Sequence, residues 1–110
     1  MEGAFSGGSD DALELRFRGE IWSWRGPAPY HFITVPDEAS ADIRAIASLV
    51  TYGWGVIPVT VALGGTQWTT SLFPKDGRYL VPIKAAVRAA ERLSDGDTVA
   101  LRLTIRIRPR

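Results

Sequence analysis

The run Ser71-Leu-Phe-Pro-Lys-Asp-Gly-Arg-Tyr-Leu-Val-Pro-Ile-Lys-Ala-Ala-Val-Arg88 constrains the fold more than any other stretch of the chain. It reads as a strand, a tight turn, a second strand and a helix start with nothing between them. Pro74-Lys75-Asp76-Gly77 is a turn by composition, the proline presetting φ and the glycine supplying the final bend. Arg78 to Val81 continue as a strand. Pro82 then opens a helix whose buried stripe is Ile83, Ala86, Val87, Ala90 and Leu93, and Ser94-Asp95-Gly96-Asp97 closes it.

The flanking segments build a sheet around this unit. Leu13 to Trp24 alternates, with Leu13, Leu15, Phe17 and Ile21 on one side and Glu14, Arg16, Arg18 and Glu20 on the other. Arg25-Gly26-Pro27-Ala28-Pro29 breaks regular structure, Tyr30 to Val35 resumes as a strand, and Pro36 ends it. Asp37 and Glu38 then supply first-turn acids to a helix with Ile43, Ile46, Ala47 and Val50 on one face, stopped by Gly53. Val56 to Leu63 is a strand, and Gly64-Gly65 makes a two-residue hairpin. If Leu63 faces Thr66, then Val61 faces Trp68, Val59 faces Thr70 and Ile57 faces Leu72 on one core-directed surface. Thr98 to Ile107 is the clearest alternation, with Val99, Leu101, Leu103, Ile105 and Ile107 inward and Arg102, Thr104, Arg106 and Arg108 outward.

Composition narrows the function classes. At 110 residues the chain is one domain over residues 11–110, after a disordered lead over residues 1–10 that lacks the pattern of a secretion signal. Its net charge of +1 gives no overall field to draw in a polyanion, so any nucleic-acid contact needs a local patch. With no cysteine there is no disulfide and no thiolate metal site, which fits a reducing cytoplasm. No apolar run approaches the roughly 20 residues of a membrane helix. A lone histidine, His31, is poor support for a metal, and Ser23 and Ser71 lack any motif that would activate them. The expectation is no catalytic residue, no metal and no cofactor, with a monomer favoured over an oligomer.

An internal echo accompanies this pattern. Val35-Pro36 leads into a helix bearing Ile43-Arg44, and Val81-Pro82, 46 positions later, leads into a helix bearing Val87-Arg88. Each helix is followed by a glycine turn and a β-rich run, so two strand-helix-strand halves close on one core. The second unit, Leu80 to Val99, resembles the swapped-hairpin unit of AbrB/MazE-type transcription regulators. A closer resemblance covers Phe17 to Ile105. Gly26-Pro27-Ala28-Pro29-Tyr30-His31-Phe32, Gly53-Trp54-Gly55, Trp68 to Tyr79 and Pro82 to Arg88 are similar to domain-of-unknown-function family 1905. The resemblance implies a mainly β fold with two short helices, a double-split β-barrel, and carries no activity with it.

The candidate site residues are aromatic and charged. Trp54, Trp68 and Tyr79, with Lys75, Asp76 and Arg88, are placed around the Pro74 to Tyr79 turn as a site for a small molecule or peptide. For the aromatic set as a whole, including Tyr30, Phe32 and Phe73, plugging the barrel ends outweighs ligand contact. Trp22 and Trp24 are the exceptions, because alternation sets them with the charges as a surface contact. Arg16 and Arg18 on the first strand and Arg102, Arg106 and Arg108 on the last would form one basic stripe if those strands are neighbours. Prevention of edge aggregation outweighs phosphate contact as its cause. A non-enzymatic binding module therefore leads. Nucleic-acid binding by analogy with the AbrB-like regulators stands second, and a cofactor-dependent enzyme third.

Overall fold

Alternating strands, each with one apolar face, must bury that face against another layer, and this chain does so by wrapping its strands into a closed wall. The computed structural model describes residues 12–25, 30–50 and 55–107, Val50 by its backbone alone. The elements are β1 (Ala12–Trp24), β2 (Tyr30–Thr34), α1 (Asp37–Val50), β3 (Ile57–Leu63), β4 (Thr66–Lys75), β5 (Arg78–Pro82), α2 (Ala85–Glu91) and β6 (Thr98–Arg106). The strands form a closed barrel in the order β1-β2-β5-β4-β3-β6, every neighbouring pair antiparallel. The expected lead, the Gly26 to Pro29 break, the Gly53 stop, Trp54 and Arg108 lie outside the described residues.

Exchanging β1 with β4, β2 with β5 and β3 with β6 returns the same ring, so the topology carries the internal echo. Two long strands hold the halves together. β1 pairs with β6 from Ala12 to Glu20 and then with β2 from Ile21 to Trp24. β4 pairs with β3 from Thr66 to Leu72 and then with β5 from Phe73 to Lys75. Gly19 sits where β1 changes partner. A Cβ there would collide with Cγ2 of Ile33, so the absent side chain is the space that Ile33 fills.

The interior is aliphatic: Ile21, Ile33, Val61, Leu72, Val81, Leu103 and Ile105 are fully buried. Each contributes about 1.5–3 kcal/mol of transfer free energy. α1 packs on β5 and β3, α2 on β4. In α1, Ile43 is buried and the Ser40 hydroxyl donates to the Val35 carbonyl at 3.0 Å, satisfying a polar group with no access to water. The β3–β4 hairpin has the register anticipated, Leu63 opposite Thr66 through Ile57 opposite Leu72. Gly64 has φ 59°, and the Glu91 carboxylate beside it accepts from Gly65 N at 3.2 Å and Thr66 Oγ1 at 2.5 Å.

Two prolines depart from the sequence reading. Pro74 is not part of the turn but lies in β4 opposite Tyr79, and the turn is Asp76-Gly77 alone. Both residues have positive φ, 52° and 81°, the mirror-image turn whose twist matches the flanking strands. Pro82 does not open α2 but ends β5 opposite Phe32. Ile83 N still donates to His31 O at 2.8 Å, which holds the chain extended past Pro82, and Lys84 (φ −67°, ψ 153°) precedes the helix. With only seven residues, α2 buries Val87 while Ala86 and Ala90 face water, so the expected stripe is shorter than drawn.

Candidate functional site

Each strand hides one row of side chains in the barrel, so chemistry available to a partner must come from the opposite row or from the barrel ends. On the outside of the β1-β2-β5-β4 wall that row is aromatic. Trp22 and Trp24 alternate with buried Ile21, and the β1–β2 ladder places them opposite Phe32 and Tyr30. The Trp22 and Phe32 ring centroids are 5.4 Å apart, those of Tyr30 and Phe32 6.4 Å, and both pairs are tilted as aromatic quadrupoles prefer. Trp22 is anchored by Nε1, which donates to Thr34 Oγ1 at 2.9 Å. Phe73 stands outward on β4 opposite Leu80, a residue only 7% exposed yet outside the core cluster, because it is packed into the outer layer. The Lys75 ammonium lies 5.6 Å from the Trp24 ring centroid, a cation–π contact.

Exposure separates these rings from structural ones. Tyr30 is 60% exposed, Trp24 47% and Phe73 43%. Tyr79 and Trp68 instead face the interior, Tyr79 buried and Trp68 packed against the core. Tyr79 and Trp68 are therefore interior rings, whereas Tyr30, Phe32 and Phe73 stand outside the barrel and plug nothing. Phe32 alternates with buried Ile33, and pairing with Trp22 puts its ring outside.

The residues assigned to a site at the β4–β5 turn do not all meet there. Lys75, Asp76 and Tyr79 do, with Arg44 and Arg78, around a bowl of about 200 Å³. That is below the roughly 300–1,000 Å³ of ordinary small-molecule pockets. Lys75 pairs with Asp76 at 3.5 Å. Arg44 of α1 donates to the Gly77 carbonyl, and Arg78 Nε donates to Asp37 at 2.5 Å. That hydrogen bond and the guanidinium charge hold the Asp37 carboxyl below its ordinary value and raise Arg78, with Arg44 adding a smaller pull on Asp37. Trp68 is seven residues from Lys75 along an extended strand, roughly 23 Å away at 3.3 Å per residue. Arg88 is on α2, and its Nε, like Nε1 of Trp68, is buried without a hydrogen-bond partner among the described residues.

Two further clusters escaped sequence reasoning in part. The β1–β6 pairing assembles the basic stripe, with Arg16 directly opposite Arg102 and Arg18 opposite Ala100. Glu14 lies 2.8 Å from Arg16 and 3.9 Å from Arg102. An open groove of about 550 Å³ runs beside these arginines over Ala62 and Ala100. At another point Ser23 Oγ donates to Asp95 Oδ2 at 2.6 Å, while His31 Nε2 is 3.3 Å from Asp95 Oδ1. In hydrolytic triads the imidazole stands between hydroxyl and carboxylate. Here the carboxylate stands between, and the trio ties the α2–β6 turn to the β1–β2 hairpin. Its members are 72 and 64 positions apart in pairs, so no local motif announces it. Among the described residues no group of three His, Cys, Asp or Glu could hold a metal, and no helix is long and apolar enough to cross a membrane.

A closed six-stranded antiparallel barrel with two short packing helices, its aromatic and cationic side chains on the outer wall, defines a small mainly β domain. The chain belongs to the family Domain of unknown function (DUF1905), which it matches over residues 17–103. No curated protein matches it.

Proposed function

We propose that this domain is a non-enzymatic binding module that holds an extended ligand against the outer aromatic face of β1, β2 and β4. One observation carries the reading: Trp24, Tyr30 and Phe73 each leave roughly half of their surface in water on the same wall. Exposed rings grouped together favour contact with a partner, since folding alone rewards their burial. Trp22 and Phe32 brace the group from below, so its geometry is set before a ligand arrives.

Lys75 and Arg25 add positive charge beside Trp24. The bowl at Asp76-Gly77 is too small for more than a terminal group of such a ligand, which favours an extended occupant over a compact metabolite. A thermal-shift and tryptophan-fluorescence screen of peptides, metabolites and oligonucleotides tests the proposal. A ligand that raises the melting temperature of the native chain and loses that effect with Trp24→Ala and Tyr30→Ala supports it. Stabilisation unchanged by either substitution, or none with any class, overturns it.

A further inference from the structure

Outward residues on β1 run Glu14, Arg16, Arg18, Glu20, Trp22, Trp24, so guanidinium groups and indoles share one side of one strand. The arginine end breaks a rule of sheet pairing. Arg16 and Arg102 stand directly opposite, where like charges repel, and among the described residues Glu14 is the one carboxylate paired with both. Arg18 has no ion-pair partner among the described residues. Small Ala62 and Ala100 beside these cations leave the groove open. The aromatic end has cations of its own. Lys75 lies over Trp24, Arg25 follows it in sequence, and the β2–β5 register continued by two pairs, past His31 and Ile83, sets exposed Lys84 opposite Tyr30. Against these stands Glu20, while Asp37 and Asp76 are engaged by Arg78 and Lys75.

We infer that the ligand is a single-stranded nucleic acid, with bases stacked on Trp24, Tyr30 and Phe73 and phosphates held by Arg16, Arg18 and Arg102. This deepens the proposed function and rests on it. A polyanion that also carries flat apolar faces uses both ends of β1 at once, whereas an acidic polypeptide answers the charges and leaves the rings without stacking partners. A duplex is disfavoured because its bases are stacked on one another, and both helices pack on the barrel wall with none free to enter a groove. The eight steps from Arg16 to Trp24 span roughly 26 Å at 3.3 Å per residue. That is room for several nucleotides, as in other small barrels that cover about 4–16.

The test is fluorescence anisotropy of a labelled oligothymidylate of about ten nucleotides with the intact chain, alongside polyglutamate as the acidic polypeptide. Binding is expected to quench tryptophan emission. Three phosphate contacts predict weakening of about twentyfold between roughly 50 and 200 mM salt. Trp24→Ala should weaken binding at least about fivefold, and Arg18→Ala should lower the salt slope by about 0.7. Both residues are exposed, and unchanged melting temperatures confirm that the variants fold. Oligonucleotide binding indifferent to salt or to Trp24→Ala overturns the inference. So does polyglutamate binding as tight and as dependent on Trp24, which leaves the aromatic face standing as a protein-binding surface. If no probe of any class responds to Trp24→Ala, both readings fail together.

Discussion

β1 and β4 hold equivalent places in the ring, and their inward rows meet the same demand with Leu15, Phe17 and Ile21 on one and Trp68 and Leu72 on the other. Their outward rows differ in kind. β4 shows water Gln67, Thr69 and Ser71 before Phe73 and Lys75, whereas β1 shows it two arginines flanked by two glutamates and then two tryptophans. Packing cannot account for the contrast, because both strands pack alike. What β1 carries beyond β4 is the part of the sequence that folding does not require, and the search for function belongs there.

The two helices offer the most forceful way to break this comparison of halves. Ile43 of α1 is fully buried and Val87 of the shorter α2 nearly so. Ile43→Ala should cost about 2–5 kcal/mol and Val87→Ala roughly 1–2 kcal/mol by urea denaturation. Equal losses would mean that the halves contribute alike despite their helix lengths. The turns come next. Gly77 has φ 81° with open space where a Cβ would stand, so Gly77→Ala adds backbone strain alone, about 1 kcal/mol. Gly64→Ala adds the same strain and also drives the Glu91 carboxylate off Gly65 N and Thr66 Oγ1, so it should cost about 2–3 kcal/mol by the same measurement. The outer rows sharpen the contrast further. Arg18→Ala and Thr69→Ala should each leave stability within about 0.5 kcal/mol, while only the β1 change alters oligonucleotide binding.

The smallest effect concerns Asp37. Its carboxyl titrates below its ordinary value in the folded chain because Arg78 binds the charged form. The associated stabilisation is therefore present above about pH 4 and is lost as pH falls through the lower folded value. Asp37→Asn should melt slightly below the native chain at neutral pH in low salt, with the gap closing in acid. A gap that persists in acid would assign Asp37 a role other than its charge.

Where alternation governed, the fold was legible: β1, β6 and the full register of the β3–β4 hairpin follow from side-chain parity and two glycines. Prolines misled because a proline marks a turn or helix start only when the ladder has no other use for the position. Pro82 ends a strand whose partner, Phe32, comes from elsewhere in the chain, and Pro74 stays in the ladder opposite Tyr79 because the two-residue turn at Asp76-Gly77 needs no proline. The outward setting of Trp22 and Trp24 could be read from β1 alone. That of Tyr30 and Phe32 could not, since it depends on pairing with β1 across the proline-rich connection. The site around the β4–β5 turn failed in part for a metric reason. Trp68 and Lys75 are close in sequence, but an extended strand separates them by most of the barrel's width.

Closure of the ring has a last consequence. The ring closes because β1 and β4 change partner along their length, so Ala12 to Glu20 is laddered to β6 alone and Thr66 to Leu72 to β3 alone, and among the described residues each of these stretches keeps one open side. The outward arginines and glutamates of β1 guard one of these open sides against the addition of a further strand, while Gln67, Thr69 and Ser71 leave that of β4 uncharged. Exchanging a handful of outward residues would therefore change both what the barrel attracts and which of its open sides stays guarded, without disturbing its hydrogen-bonded frame.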